Sequence, residues 1–254
     1  CPVGIKISEL TEVLPQLSSQ KDRISIQLDP VPTRIKELEN QLELKYRNYP
    51  IYLLFVGCAS KYDPLGLEGF MNFLLDKGGE LKEFSPRIKI IDNMCCGFDK
   101  YISGDIDGAK ADALRIFDIK NKLGAQRVYF LCPEGLYVYN LLSGDKGVLA
   151  YEVVKPYVKD KVYLGCWAKK LGLEGEEHEC AGLLFTSYKG AQLPLLKKNI
   201  ITICPFSTWK FSTQSVYSLF NKAKMGTEEK NTMEFSDQLF IDYVISSLKS
   251  GILA

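Results

Sequence analysis

The sequence predicts an α/β protein of two tandem halves, each built on a short parallel sheet. The second half is reduced, and a helical extension precedes the first. Three observations predict this. From residue 49 onward, apolar runs of strand length alternate with helical stretches, the pattern of a parallel sheet with helical crossovers. Three of those runs lead into cysteines: Cys58, the Cys95-Cys96 pair and Cys132. A similar order of runs and cysteines returns after residue 159.

At 254 residues the chain can form one large or two small domains. Its 46% hydrophobic and 25% charged residues are ordinary for a globular protein. A net charge of +1 gives no reason to expect nucleic acid or an anionic membrane surface as partner. The longest apolar run, Ile51 to Ala59, is far too short to span a bilayer, so no transmembrane segment is expected. No signal peptide is visible. Eight cysteines are more than an ordinary intracellular enzyme needs and too sparse for a small disulfide scaffold. Several lie in or just after apolar runs. That favours thiolate ligands in a reducing, cytoplasmic setting, with disulfides as the alternative.

Residues 1–48 read as the extension. The Cys1-Pro2 pair has the form in which bacterial-type ferredoxin ligand runs end, although most such pairs are only structural. The extension is therefore expected to pack against a partner or to follow a ferredoxin-like module. Residues 7–18 suit a short helix. After the break at Pro30-Val31-Pro32, Thr33 reads as the N-cap of a helix to about Arg47, with Ile35, Leu38, Leu42 and Tyr46 on one face.

Residues 49–158 form the first half. The run from Ile51 to Val56 is continuously apolar, as expected of a strand covered on both faces, and leads into Gly57-Cys58. A turn at Asp63-Pro64 opens a helix over residues 65–75, closed by Gly78-Gly79. Residues 87–92 predict a second strand leading to Cys95-Cys96-Gly97. Residues 105–123 predict a helix with Ala109, Ala113, Ile116 and Ile119 inward, stopped by Gly124. Residues 127–131 predict a third strand leading to Cys132-Pro133. In such sheets ligands bind beyond the carboxyl ends of the strands. Cys58 and Cys95 are separated by 36 residues, and Cys96 and Cys132 by 35, about one strand–helix–strand step each. This spacing predicts that four thiols meet at one sheet edge.

Residues 159–254 replay the pattern in compressed form. Val162-Tyr163-Leu164-Gly165-Cys166 echoes Leu54-Phe55-Val56-Gly57-Cys58. Cys180-Ala181-Gly182 echoes Cys95-Cys96-Gly97. Ile200 to Pro205, with Cys204, echoes the run into Cys132-Pro133. Only 13 residues lie between Cys166 and Cys180, too few for a full helix and strand. Helices are expected near residues 213–222 and 235–248, the last with Phe235, Leu239 and Leu248 on one side.

Gly57-Cys58, Cys95-Cys96-Gly97 and Cys132-Pro133-Glu134-Gly135 resemble the cysteine-rich CCG domain. That domain occurs twice in the B subunit of heterodisulfide reductase and in its fused D subunit. It also occurs in the iron–sulfur subunit of glycolate oxidase, in lactate-utilisation proteins and in the E subunit of some succinate dehydrogenases. The family pattern is one cysteine, a long gap, a Cys-Cys pair, a second long gap, then Cys-x-x-Cys. The resemblance covers roughly residues 50–210 and implies two tandem Rossmann-like CCG repeats. The final family cysteine falls at Gly135 in the first repeat and at Ser207 in the second, and Ala181 stands where the second cysteine of a pair belongs.

Soft thiolate sulfur suits iron and tolerates redox change. The resemblance implies an iron–sulfur cluster, most simply a four-iron one, on Cys58, Cys95, Cys96 and Cys132, with Cys95 and Cys96 at the reactive end. Buried free cysteines, or a disulfide between the adjacent pair, are the structural alternative. In the second repeat, Cys166, His178, Cys180 and Cys204 form a set suited to tetrahedral zinc, although His178 sits in an acidic run and the repeat is also compatible with no metal. Trp167 and Trp209 read as rim packing, and Lys61 as a cation beside the site.

The implied activity is that of an iron–sulfur redox subunit of a heterodisulfide reductase-like complex. It would pass electrons from a ferredoxin-like or flavoprotein partner to a thiol/disulfide or related acceptor. Such a protein would be cytoplasmic, or membrane-associated only through partner subunits. The alternative is a non-catalytic assembly subunit of a respiratory complex, succinate dehydrogenase-like, with a degenerate or zinc-containing site.

Overall fold

Tyr52–Phe55 form β1, and all four residues are buried. A strand buries every side chain only when it has layers on both faces, and β1 has these as well as a neighbour on each edge. The chain was studied as a computed structural model, which describes residues 30–158, 162–173, 201–205, 208 and 217–218. β1 pairs in parallel with β2 (Ile88–Ile91) on one side and with β3 (Arg127–Phe130) on the other. Tyr52 lies opposite both Ile88 and Arg127. A short β4 (Val148–Leu149) pairs with β3, giving a parallel sheet of order β2-β1-β3-β4. The protein is thus α/β with a four-stranded parallel sheet.

Helix α1 (Thr33–Lys45) starts one residue earlier than a Thr33 cap would give. Pro32 occupies the cap position, with no side-chain cap bond. Ile35, Leu38 and Leu42 are buried. This face is covered by α3 (Pro64–Lys77) and β2 of the same chain. Polar groups hold the same join. The Ile90 N–H donates to Glu39 Oε1 at 3.0 Å, and Arg87 Nε donates to Glu43 Oε1 at 3.0 Å.

Between β1 and α3 lies a single turn, α2 (Ala59–Tyr62). α3 has a full start signal: Asp63 accepts from Gly66 N–H at 2.8 Å, and Pro64 stands in the first turn. Its Leu67, Phe70, Phe73 and Leu74 pack into the core. After β2 come α4 (Phe98–Ile102) and α5 (Ile106–Lys122). Asp105 caps α5 through Gly108 N–H at 3.0 Å, and Ala109, Ala113 and Ile116 are buried as the periodicity predicts. Beyond β3 lie α6 (Pro133–Leu142) and α7 (Ala150–Val154).

The second half has its own parallel sheet, β5 (Val162–Tyr163), β6 (Ile201–Thr202) and β7 (Tyr217–Ser218), in that order. The helix expected over residues 213–222 is corrected here: Tyr217 and Ser218 pair with Ile201 and Thr202. Strand pairing overrides a weak helical pattern, and tyrosine favours a pleated surface. α8 (Gly165–Lys170) follows β5 and packs on α6. Trp167 of α8 is 3% exposed. Its ring meets Phe98 edge-on at 4.8 Å and Tyr137 at 4.9 Å, so it packs inside rather than at a rim. Both sheets belong to the same compact unit. The Cys1-Pro2 pair, the helices expected over residues 7–18 and 235–248, His178, Cys180 and Trp209 lie outside the described residues.

Candidate metal centre

In the order β2-β1-β3-β4 the chain runs to one side of β1, then crosses to the other. The crevice at such a switch, outside the carboxyl ends, is where open parallel sheets bind ligands. Cys58 follows β1 and precedes the first residue of α2. Cys132 follows β3 and precedes the first residue of α6. Cys95 and Cys96 lie in the loop after β2.

That loop is shaped by two left-handed residues, Asn93 at φ 55° and Gly97 at φ 82°. Asparagine tolerates this region better than most residues, and glycine adopts it freely. Gly97 is required twice over, because a Cβ there would lie 2.9 Å from the Ala109 carbonyl oxygen. The turn thus brings the Gly97 backbone against Ala109 of α5, directly after the cysteine pair. Cys95 Sγ accepts from Gly97 N–H at 3.4 Å and donates to Asp99 Oδ1 at 3.2 Å.

The structure brings a fifth thiol to this set. Cys204, at the carboxyl end of β6, is 2% exposed. Glu134, in the first turn of α6, stands between it and Cys132. Cys132 Sγ donates to Glu134 Oε2 at 2.7 Å, and Cys204 Sγ lies 3.4 Å from both carboxylate oxygens. The two sulfurs and a Glu134 oxygen fall within 4.8 Å of one another, a separation that suits a metal ion. Cys58, Cys95, Cys96, Cys132 and Cys204 are all free thiols.

Burial and mutual repulsion dominate the electrostatics. Burial pushes the Cys58 thiol up to about 12, and Cys95, Asp99, Cys204 and Glu134 add to the shift. Cys96 is raised by its hydrogen bond with Cys95 and by burial. Cys132 is raised by its hydrogen bond with Cys204, then by burial and by Glu134. Burial also raises Glu134, against the two thiol bonds that lower it. Leaving a charged carboxylate buried without such bonds costs on the order of several kcal/mol. The pocket therefore resists negative charge unless a cation is added. Soft, half-buried to buried thiols are donors that suit iron–sulfur clusters and zinc.

The four thiols expected from the spacing follow the carboxyl ends of three adjacent strands. Cys95 raises the Cys58 and Cys96 thiols, and Cys96 raises that of Cys132. The donors that fall within 4.8 Å of one another are Cys132, Glu134 and Cys204. Cys204, read from sequence as part of a second site, thus lies beside Cys132. Cys166 stands in α8. Lys61 lies over the Tyr62 ring, with its Nζ 5.9 Å from the centroid. Glu134 was quoted in the Cys132-Pro133-Glu134-Gly135 motif but given no role. Its one sequence signal is a carboxyl two residues from a candidate ligand.

No family model matches the chain, and no curated protein matches it. Among solved structures it is similar to an aspartate racemase homologue from Pyrococcus horikoshii OT3, with 14% identity and a TM-score of 0.36 over 70% of this chain and 99% of that one. A likeness this distant carries nothing about activity.

Proposed function

We propose that the chain is an iron–sulfur redox subunit of a heterodisulfide reductase-like complex, passing electrons to a thiol/disulfide or related acceptor. One observation supports this reading: Cys58, the Cys95-Cys96 pair and Cys132 are free thiols that follow the carboxyl ends of three adjacent parallel strands. Bound there, an iron–sulfur cluster supplies one-electron transfer. The chain's own residues do the rest. Cys96, largely buried against Gly135, is shielded from water. The Gly97 N–H directed at Cys95 Sγ stabilises negative charge on that sulfur. Asp99 and Glu134 take the thiol protons of Cys95 and Cys132 in hydrogen bonds, fixing where those sulfurs point. A ferredoxin-like or flavoprotein partner would deliver the electrons.

Anaerobic reconstitution with iron and sulfide tests the reading. Iron and sulfide should be retained after gel filtration, with a paramagnetic signal that changes between the isolated and reduced states. Protein that stays colourless and iron-free overturns it.

A further inference from the structure

We propose that both halves of the chain build one centre: Cys204 is its fifth thiolate ligand, and Glu134 is the positioning residue that holds Cys204 beside Cys132. This rests on the reading that Cys58, Cys95, Cys96 and Cys132 hold an iron–sulfur cluster.

Three observations converge on Cys204. Its place after β6 matches that of Cys132 after β3, so each sheet presents a cysteine beyond the carboxyl end of the corresponding strand. Its sulfur is buried and shares one carboxylate with Cys132. Third, Gly135, where the Cys-x-x-Cys of the resembled CCG pattern would place another thiol, abuts Cys96. A Cβ at Gly135 would lie 3.3 Å from Cys96 Cβ and 3.5 Å from Cys96 Sγ. A side chain there has little room. The sulfur missing at Gly135 is supplied instead from the other sheet.

Glu134 makes this geometry possible. It is carried by α6, the helix on which α8 of the second half packs. Its two oxygens bridge sulfurs that are 72 positions apart in the chain, at 132 and 204. Cys204 therefore ceases to belong to a separate zinc set with Cys166, His178 and Cys180. A consequence is that metal binding clamps the two sheets together, because ligands from both are ordered at one point.

The test compares wild type with Cys204→Ala, Cys204→Ser, Cys166→Ala, His178→Ala, Glu134→Ala and Glu134→Gln after anaerobic reconstitution. Iron, sulfide and zinc content, loss of iron to a chelator and the paramagnetic spectrum of the reduced state are measured. Both Cys204 variants should release iron more than about tenfold faster and shift the spectrum, while Cys166→Ala and His178→Ala match wild type. Glu134→Ala should weaken iron retention about tenfold, the usual scale for a group that orients a ligand, with Glu134→Gln restoring most of it. Circular dichroism of the metal-free variants controls for folding, and Cys204→Ser decides if Cys204→Ala does not fold. Wild-type iron and spectrum in the Cys204 variants, with zinc lost alike from the Cys204, Cys166 and His178 variants, overturns the proposal and leaves the iron–sulfur reading standing. A wild type that binds neither iron nor sulfide overturns both. A Glu134→Ala variant identical to wild type removes the positioning role.

Discussion

In the first half, β1, β3 and β4 lie side by side and parallel, with β2 beyond β1. In the second, β5, β6 and β7 repeat the order of those three. Each half places a glycine and a cysteine after its first strand: Gly57-Cys58 after β1, Gly165-Cys166 after β5. Each also places a Cys-Pro pair after the next strand inward, Cys132-Pro133 and Cys204-Pro205. Among the described residues the difference lies at β2, whose following turn carries Cys95 and Cys96 and packs against α5 through Gly97. That turn needs Gly97 and a helix close behind it, and it gives the first half two adjacent sulfurs. The comparison teaches that a shared strand order does not confer a shared site. In the proposed centre, the loop after β2 would supply the sulfur pair and the second half would supply Cys204.

The largest effect should come from removing that pair. A Cys95→Ser, Cys96→Ser double variant is expected to lose nearly all reconstituted iron and sulfide, while the far-ultraviolet circular dichroism stays unchanged. Wild-type iron content in the double variant would erase the distinction between the halves and place the iron on other ligands.

Separating the halves should cost stability next. Trp167 is buried among Phe98, Tyr101 and Tyr137, so Trp167→Ala opens a large cavity at the join. A loss of about 4 kcal/mol in urea unfolding of the metal-free protein is expected. An unchanged urea midpoint would mean that the second sheet docks without this aromatic anchor.

The smallest expected effect is alkaline. Burial, then Cys95, Asp99, Cys204 and Glu134, raise Cys58 from an ordinary 9.0 to about 12. A group raised on folding stabilises the folded state below its unfolded value and loses that contribution as pH climbs through the folded one. Metal-free protein should therefore lose stability between pH 9.0 and about 12, and Cys58→Ser should flatten that loss. Metal must displace these protons, so metal affinity should rise with pH. Chemical unfolding at several pH values, with and without metal, checks both. Equal alkaline loss in the Cys58→Ser variant would assign the effect to other groups, such as the buried Tyr129.

Much of the first half was legible because its signals are local. The run from Ile51 to Val56 is apolar throughout and bounded by glycine, and α5 shows a clean 3.6-residue face closed by Gly124. Cysteine gaps of one crossover each placed Cys58, Cys95, Cys96 and Cys132 after the carboxyl ends of neighbouring strands. Helix α6 was not seen, because Tyr137, Val138 and Tyr139 suit strand as well as helix. The placement of Cys204 was not legible because internal repetition assigns each residue to its own half, whereas the packing of α8 on α6 decides where β6 ends up. Glu134 escaped notice because a carboxylate that bridges two thiols has no spacing rule of its own.

The bond from Glu39 to the Ile90 N–H also bears on how this molecule keeps apart from its copies. A border strand with free amides is a template on which a second chain can grow, the start of runaway polymerisation. Here a side chain from the preceding helix occupies that amide, and Arg87 beside it is tied to Glu43. The β2 margin is thereby obstructed to strand addition at Ile90.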